Sequence, residues 1–236
     1  MVIFALIGLG ILPGLVWLLF YLQEDKKRPE PLLLLSLVFL AGMLVTMPTV
    51  GLEVLFRGGL RILGFDDYGI TSFTVLALIE EITKFGAAYL IIRWRVEFDE
   101  PIDAMIYLVT VALGFATAEN IAVNSGLLST FGSDNLAAAS LLVGDAFDVT
   151  TRRFIGATLL HSLSSGIVGY YWAKGLLSGM EGRFILIGLF LGTLLHAIFN
   201  YLIIRDISVM IPTAILGIIA FFVLNDFEKL KSVQAS

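Results

Sequence analysis

Apolar residues recur along this chain in blocks of about 20, the length at which an α-helix crosses a bilayer. Seven blocks qualify: 2–22, 32–54, 70–92, 102–123, 153–174, 184–204 and 207–225. They predict an all-α, polytopic helical membrane bundle of about seven transmembrane helices, a single integral domain over 1–236. The polar run 23–31 is a sharp turn between the first two spans. Pro48 is placed to kink the second. Residues 53–63 read as a segment lying along the interface, although Gly58 and Gly59 weaken a helix there. Pro101 suits the first turn of the fourth span, with Asp103 close to its positive end. Within the loop 124–152 the apolar part from Asn135 to Gly144 predicts a short interfacial or re-entrant helix, an eighth element.

Composition agrees. The chain is 58% hydrophobic and 15% charged, with a mean hydropathy of +0.94, where soluble domains have roughly 45–50% apolar and 25% charged residues. It contains no cysteine, which excludes disulfides, thiolate ligands, a cysteine nucleophile and palmitoylation. The net charge of −5 and the lack of a basic cluster give no reason to expect nucleic acid. Residues 1–22 lack a basic leader and a clear cleavage site, and read as an uncleaved first helix.

Basic residues set the expected orientation. With the N-terminus outside, inner segments carry Lys26, Lys27, Arg28, Arg93, Arg95, Lys174, Arg183, Lys229 and Lys231. Outer segments carry Arg57, Arg61, Arg152, Arg153 and Arg205. The excess predicts an N-terminus outside and a C-terminus in the cytoplasm.

The spans are not uniformly apolar. Glu80, Glu81 and Lys84 interrupt the third, Glu119 lies in the fourth, His161 in the fifth and His196 in the sixth. A charged group at the bilayer centre costs on the order of 2.5–3.5 kcal/mol on insertion scales. Such groups persist where they meet partners or a water-filled cavity. At 1.5 Å per residue Glu80 and Glu81 lie roughly 15 Å below the start of their span, and His161 and His196 roughly 12 Å from the same side. Glu119, close to the end of the fourth span, is shallower, and the Glu80–Glu81 pair, Glu119, His161 and His196 therefore all fall in one half of the bilayer, whichever way the chain is oriented.

Spacing suggests roles. Glu80 and Lys84 are i,i+4 in the favourable order, and Glu81 is turned about 100° away. Two acids in unlike surroundings suit a general base beside a neutral donor or a structural ligand; a buried ion pair that fixes helix packing is the plainer alternative. Gly188, Gly192, His196 and Asn200 form a stripe at spacing four that lets a neighbouring helix approach closely. It places an imidazole and an amide where they can hold an oxyanion, or merely join two helices. Ala157, His161, Ser165 and Gly169 repeat the pattern. Glu119 can orient a histidine, bind water or ligate a metal, or be a solvated residue near a helix end. The His-Glu-x-x-His zinc motif is absent. Gly144-Asp145 is only part of an aspartyl Gly-x-Gly-Asp motif, and the serines after His161 share its helix without a separate base.

The ordered set Glu80-Glu81-x-x-Lys84, Phe115-x-x-x-Glu119-Asn120, His161 and His196-x-x-x-Asn200 resembles the PrsW family of membrane proteases, related to the CAAX prenyl-protease and bacteriocin-processing (CPBP) superfamily. The turn Pro29-Glu30-Pro31 is similar too, and the resemblance spans about 24–204. It implies an intramembrane, glutamate-dependent endopeptidase of a bacterial or archaeal cell membrane. Glu80 would be the base for water, Glu81 its neighbour, and His196 with Asn200 the oxyanion site. Lys84, Phe115 and Asn120 would support them. The CAAX branch has a histidine where Glu119 stands, so His161 is a candidate second group for water activation. The preferred reading needs no cofactor; a divalent metal such as zinc has Glu80, Glu119, His161 and His196 as candidate ligands. The implied partners are the bilayer and a single-span, membrane-anchored substrate of the anti-sigma-factor kind, cut near its extracytoplasmic side. A proton- or ion-coupled transporter would instead show flux without cleavage, and a non-catalytic scaffold would tolerate Glu80→Gln.

Overall fold

The computed structural model describes residues 2–26, 28–125, 143–205 and 207–234. Among the described residues every regular element is helical. They are α1 (Val2–Tyr21), α2 (Leu32–Ile62), α3 (Ile70–Ile92), α4 (Asp103–Asn124), α5 (Val143–Arg153), α6 (Leu159–Ser178), α7 (Glu181–Ile204) and α8 (Met210–Gln234). A π-helical turn, Phe154–Thr158, joins α5 to α6 without a break. Most of the expected Asn135–Gly144 helix lies outside the described residues. Among the described residues an additional helix, α5, begins at Val143 and runs into the fifth expected span.

Five helices are long and apolar enough to cross a membrane by themselves: α1, α2, α4, α7 and α8. The other two expected spans are helices at the expected places, but α3 carries Glu80, Glu81 and Lys84, and α6 is rich in serine and glycine. The expected interfacial segment is corrected. Residues 53–62 continue α2, which runs through Pro48 as one helix of 31 residues. Its apolar length outweighs the low helix propensity of the Gly58-Gly59 pair. Pro101 stands just outside α4 rather than in its first turn, where Asp103 does lie.

The axis of the bundle is α4, whose residues Asp103 to Thr117 are all buried. Helices α1, α2, α3 and α6 pack around it, and α7 bridges α3 and α6. Lipid tails are as apolar as leucine, so helices in a membrane associate through close fit rather than through escape from water. Gly42 of α2 faces Val111 of α4, and Gly114 of α4 faces Phe39 of α2. A Cβ at either glycine would overlap the opposing carbonyl oxygen. The α7 stripe is used in the same way: a Cβ at Gly192 would lie 2.8 Å from the Ser164 carbonyl oxygen of α6. That approach brings His196 against the polar face of α6. At one end of the bundle Glu181 takes a paired contact from Arg93 (3.0 Å for both bonds) and accepts the Trp172 indole N–H (2.9 Å), tying α3, α6 and α7 together.

Candidate active site

The ionisable residues of α3, α4, α6 and α7 meet in one buried cluster. Glu81 is its anchor. Its Oε1 accepts from Lys84 Nζ (2.5 Å), Ser164 Oγ (2.9 Å) and His196 Nδ1 (2.9 Å), and its Oε2 from Ser165 Oγ (3.0 Å). The expected Glu80–Lys84 pair is therefore corrected: Lys84 pairs with Glu81, at i,i+3. The 100° between adjacent helix positions explains it. Glu81 faces α6 and α7, where three further donors converge, and the buried ammonium goes to the carboxylate that they hold in place. Lys84 also reaches His161 Nδ1 (3.1 Å) and lies over the Phe115 ring, 5.3 Å from its centroid. Phe115 in turn packs against the His161 ring.

Glu119 lies behind His161, with Oε2 2.8 Å from the ring Nε2. Arg153, at the end of α5, reaches the same oxygen at 3.2 Å and donates to Asn120 Oδ1 at 2.5 Å. Asn120 Nδ2 donates to Thr158 Oγ1 (3.0 Å) in the π turn, whose Phe154 carbonyl accepts the Trp17 indole N–H (3.0 Å). Side-chain exposure rises from 0% at Glu81 through 9% at Glu80 to 23% at Glu119 and Arg153. The cluster thus opens toward the C-terminal end of α4. Asn200 stands one turn beyond His196 on the same side of α7, half-buried, with no side-chain hydrogen bond among the described residues.

These bonds fix the imidazoles. A carboxylate only accepts, so a neutral His196 carries its proton on Nδ1 toward Glu81, and a neutral His161 carries its proton on Nε2 toward Glu119. Although His161 Nδ1 also accepts from Lys84, the remaining nitrogens both face a single atom, Glu80 Oε2. His196 Nε2 is 3.6 Å from it and His161 Nδ1 3.7 Å. That oxygen is buried and has no hydrogen-bond partner.

Glu80 Oε2 and His196 Nε2 face one another without a donor, beside a His161 Nδ1 that has only Lys84, so the gap between them suits a cation, a proton or water. Glu80, His161 and His196 each offer one ligand atom within 4.8 Å of the other two. Bonds of about 2.1 Å at tetrahedral angles would put such atoms about 3.4 Å apart. The donor set and the orphaned oxygen fit a divalent metal. Glu119, grouped with them on sequence grounds, instead holds the far side of His161. Carboxylates at that position fix the tautomer of metal-binding histidines and raise their basicity.

Sequence reasoning missed Arg153, Ser164 and Ser165 as neighbours of the site. It also missed Glu53 of α2, a partly buried acid whose charge acts on Glu80. Glu53 carried the same signal as Glu80, a carboxylate in an apolar helix, but it was hidden by the interfacial reading of 53–63. The serines carried no signal apart from their spacing after His161.

Comparison with known proteins agrees with the ordered motifs. The family described as PrsW family intramembrane metalloprotease matches residues 30–225. Protease PrsW of Geobacillus kaustophilus is 30% identical over 202 residues, covering 85% of this chain and 80% of that protein. Protease PrsW of Bacillus subtilis is 25% identical over 206 residues (85% and 83%), and that of Clostridioides difficile 26% over 220 residues (92% and 87%). No solved structure matches. With apolar helices long enough to span a membrane and a match covering most of its length, this chain belongs to the PrsW family of intramembrane proteases.

Proposed function

We propose that the protein hydrolyses a peptide bond of a single-span, membrane-anchored protein at the Glu80–His161–His196 cluster, and that these three residues hold a divalent metal. The observation that carries the reading is the convergence of two imidazole nitrogens on Glu80 Oε2, a buried carboxylate oxygen with no hydrogen-bond partner. A metal held there would lower the pKa of a bound water and polarise the scissile carbonyl. The chain's own residues do the rest. Glu81 holds the Nδ1 proton of His196, and Glu119 the Nε2 proton of His161, so both rings keep a lone pair inward. Lys84 donates to Glu81 and holds it in place. Asn200 is free to donate its amide to the developing oxyanion. In this reading His196, expected as its partner in that role, would give its Nδ1 proton to Glu81 and its Nε2 lone pair to the metal. The open side near Glu119 and Arg153 admits the substrate. With the N-terminus outside, that side is extracytoplasmic, which suits a substrate of the anti-sigma-factor class.

One contact favours a second reading. The Lys84 ammonium already donates to His161 Nδ1 at 3.1 Å, so it competes with a metal for that lone pair. Without a metal, Glu80 is the base that takes the proton from water, beside His161 and His196.

The test is cleavage of a panel of single-span membrane proteins by reconstituted wild type and Glu80→Gln, with and without chelator, alongside the metal content of both proteins. The proposal expects cleavage by wild type only, its loss with chelator, its return with zinc, and less bound metal in Glu80→Gln. Chelator-resistant cleavage that still needs Glu80 would select the metal-free reading. Normal turnover by Glu80→Gln would overturn both.

A further inference from the structure

A second group of buried acids lies far from the peptidase cluster. Asp103 precedes Glu119 by sixteen residues on α4, about 24 Å at 1.5 Å per residue. Around it, the turn between α1 and α2 contributes Asp25 and Glu30. One carboxylate oxygen of each of the three lies within 4.8 Å of the other two.

Their hydrogen bonds leave a specific deficit. Asp103 Oδ2 accepts the backbone N–H groups of Asp99 (3.0 Å) and Glu100 (2.8 Å). Glu30 Oε2 accepts the Tyr107 hydroxyl. Asp103 Oδ1 and Asp25 Oδ2 are buried without any partner, in residues only 0% and 5% exposed. Asp103 Oδ2 is taken by the two N–H groups, so Oδ1 is the oxygen left without a donor, in a carboxylate within 4.8 Å of those of Asp25 and Glu30. The nearby cations are engaged elsewhere: Arg28 with Glu100 (2.6 Å), and Lys231 with Glu24 (2.6 Å). Among the described residues no lysine or arginine pairs with any of the three. The positive end of α4 accounts for one acid in its first turn, not for two more brought to it by another segment. Such crowding is what a bound cation relieves.

We propose that Asp25, Glu30 and Asp103 form a binding site for a hard divalent cation, Ca²⁺ or Mg²⁺, which clamps the α1–α2 turn to the start of α4. An all-oxygen donor set, with no imidazole or thiolate, suits this class. The cluster of α3, α6 and α7, with its two histidines, suits zinc instead. The clamp is independent of the peptidase chemistry. It fixes the near end of the central helix, whose far end carries Glu119.

The experiment uses the full chain in detergent, stripped with chelator and then dialysed against Ca²⁺ or Mg²⁺ alone. Bound metal and the thermal unfolding midpoint are read for wild type, Asp25→Asn, Glu30→Gln and His161→Ala. The expected result is one equivalent of Ca²⁺ or of Mg²⁺ in wild type and in His161→Ala, with a higher midpoint than in chelator. Asp25→Asn and Glu30→Gln lose both the equivalent and the rise. The dialysis arms identify the ion. An equivalent retained in both acid variants, or lost only in His161→Ala, would overturn the site. If the acid variants do not fold, terbium added to wild type decides: emission sensitised through Tyr107 and displaced by Ca²⁺ or Mg²⁺ supports the site, and its absence refutes it.

Discussion

Glu80 and Glu81 are adjacent in sequence, yet their surroundings assign them opposite sensitivities, and Glu81→Gln tests that division. Glu81 has a fully buried side chain that receives four donors, one of them the ammonium of a fully buried Lys84. Glutamine keeps the shape but removes the charge and puts an NH₂ donor where an acceptor stood. The serine hydroxyls can turn to accommodate it; the ammonium has only donors. Removing one partner of a buried ion pair costs about 3–5 kcal/mol, because the other charge stays buried and uncompensated. At about 2–4 °C per kcal/mol for a chain of this length, the unfolding midpoint should fall by roughly 6–20 °C. Glu80→Gln alters a carboxylate whose Oε2 has no hydrogen-bond partner, so its midpoint should stay within about 1 kcal/mol of wild type while cleavage is lost. The assay is thermal unfolding in detergent, followed by the fluorescence of Trp172, which is buried against Phe98 and Tyr89. The double variant Glu81→Met/Lys84→Met leaves no unpaired charge and should recover part of the loss. Equal destabilisation by Glu80→Gln and Glu81→Gln, or an unchanged midpoint for Glu81→Gln, would refute the division into anchor and chemical group.

Glu119→Gln weakens the hold on the His161 tautomer. With the fold retained, zinc affinity in a competition titration should fall about 10–100-fold; an unchanged affinity would remove Glu119 from the support of the metal. Gly114→Ala forces a methyl against the Phe39 carbonyl of α2, a backbone atom that cannot swing away. It should cost about 1–3 kcal/mol in the unfolding midpoint. Gly8→Ala, which meets nothing within 4 Å, serves as the control and should leave the midpoint nearly unchanged.

Much of the architecture was legible in the sequence, because each span must satisfy its backbone within itself and be apolar over a fixed length. Those demands are local, and they placed α1, α3, α4 and α7 within a few residues. They also flagged Glu80, Glu81, Glu119, His161 and His196, since an ionisable group in such a stretch is costly wherever the helix packs. Local rules failed where packing overrides them. The glycines in α2 read as a break, but the helix continues through them to Ile62. The π turn before His161 has no sequence signature, because it depends on Trp17 and Asn120 arriving from α1 and α4. The tertiary structure alone decided which acid Lys84 joins and which oxygen is left without a partner. It alone brought Asp25 and Glu30 to Asp103. Helical periodicity gives the angle at which each side chain leaves its own axis; only the arrangement of neighbouring axes determines what that side chain meets.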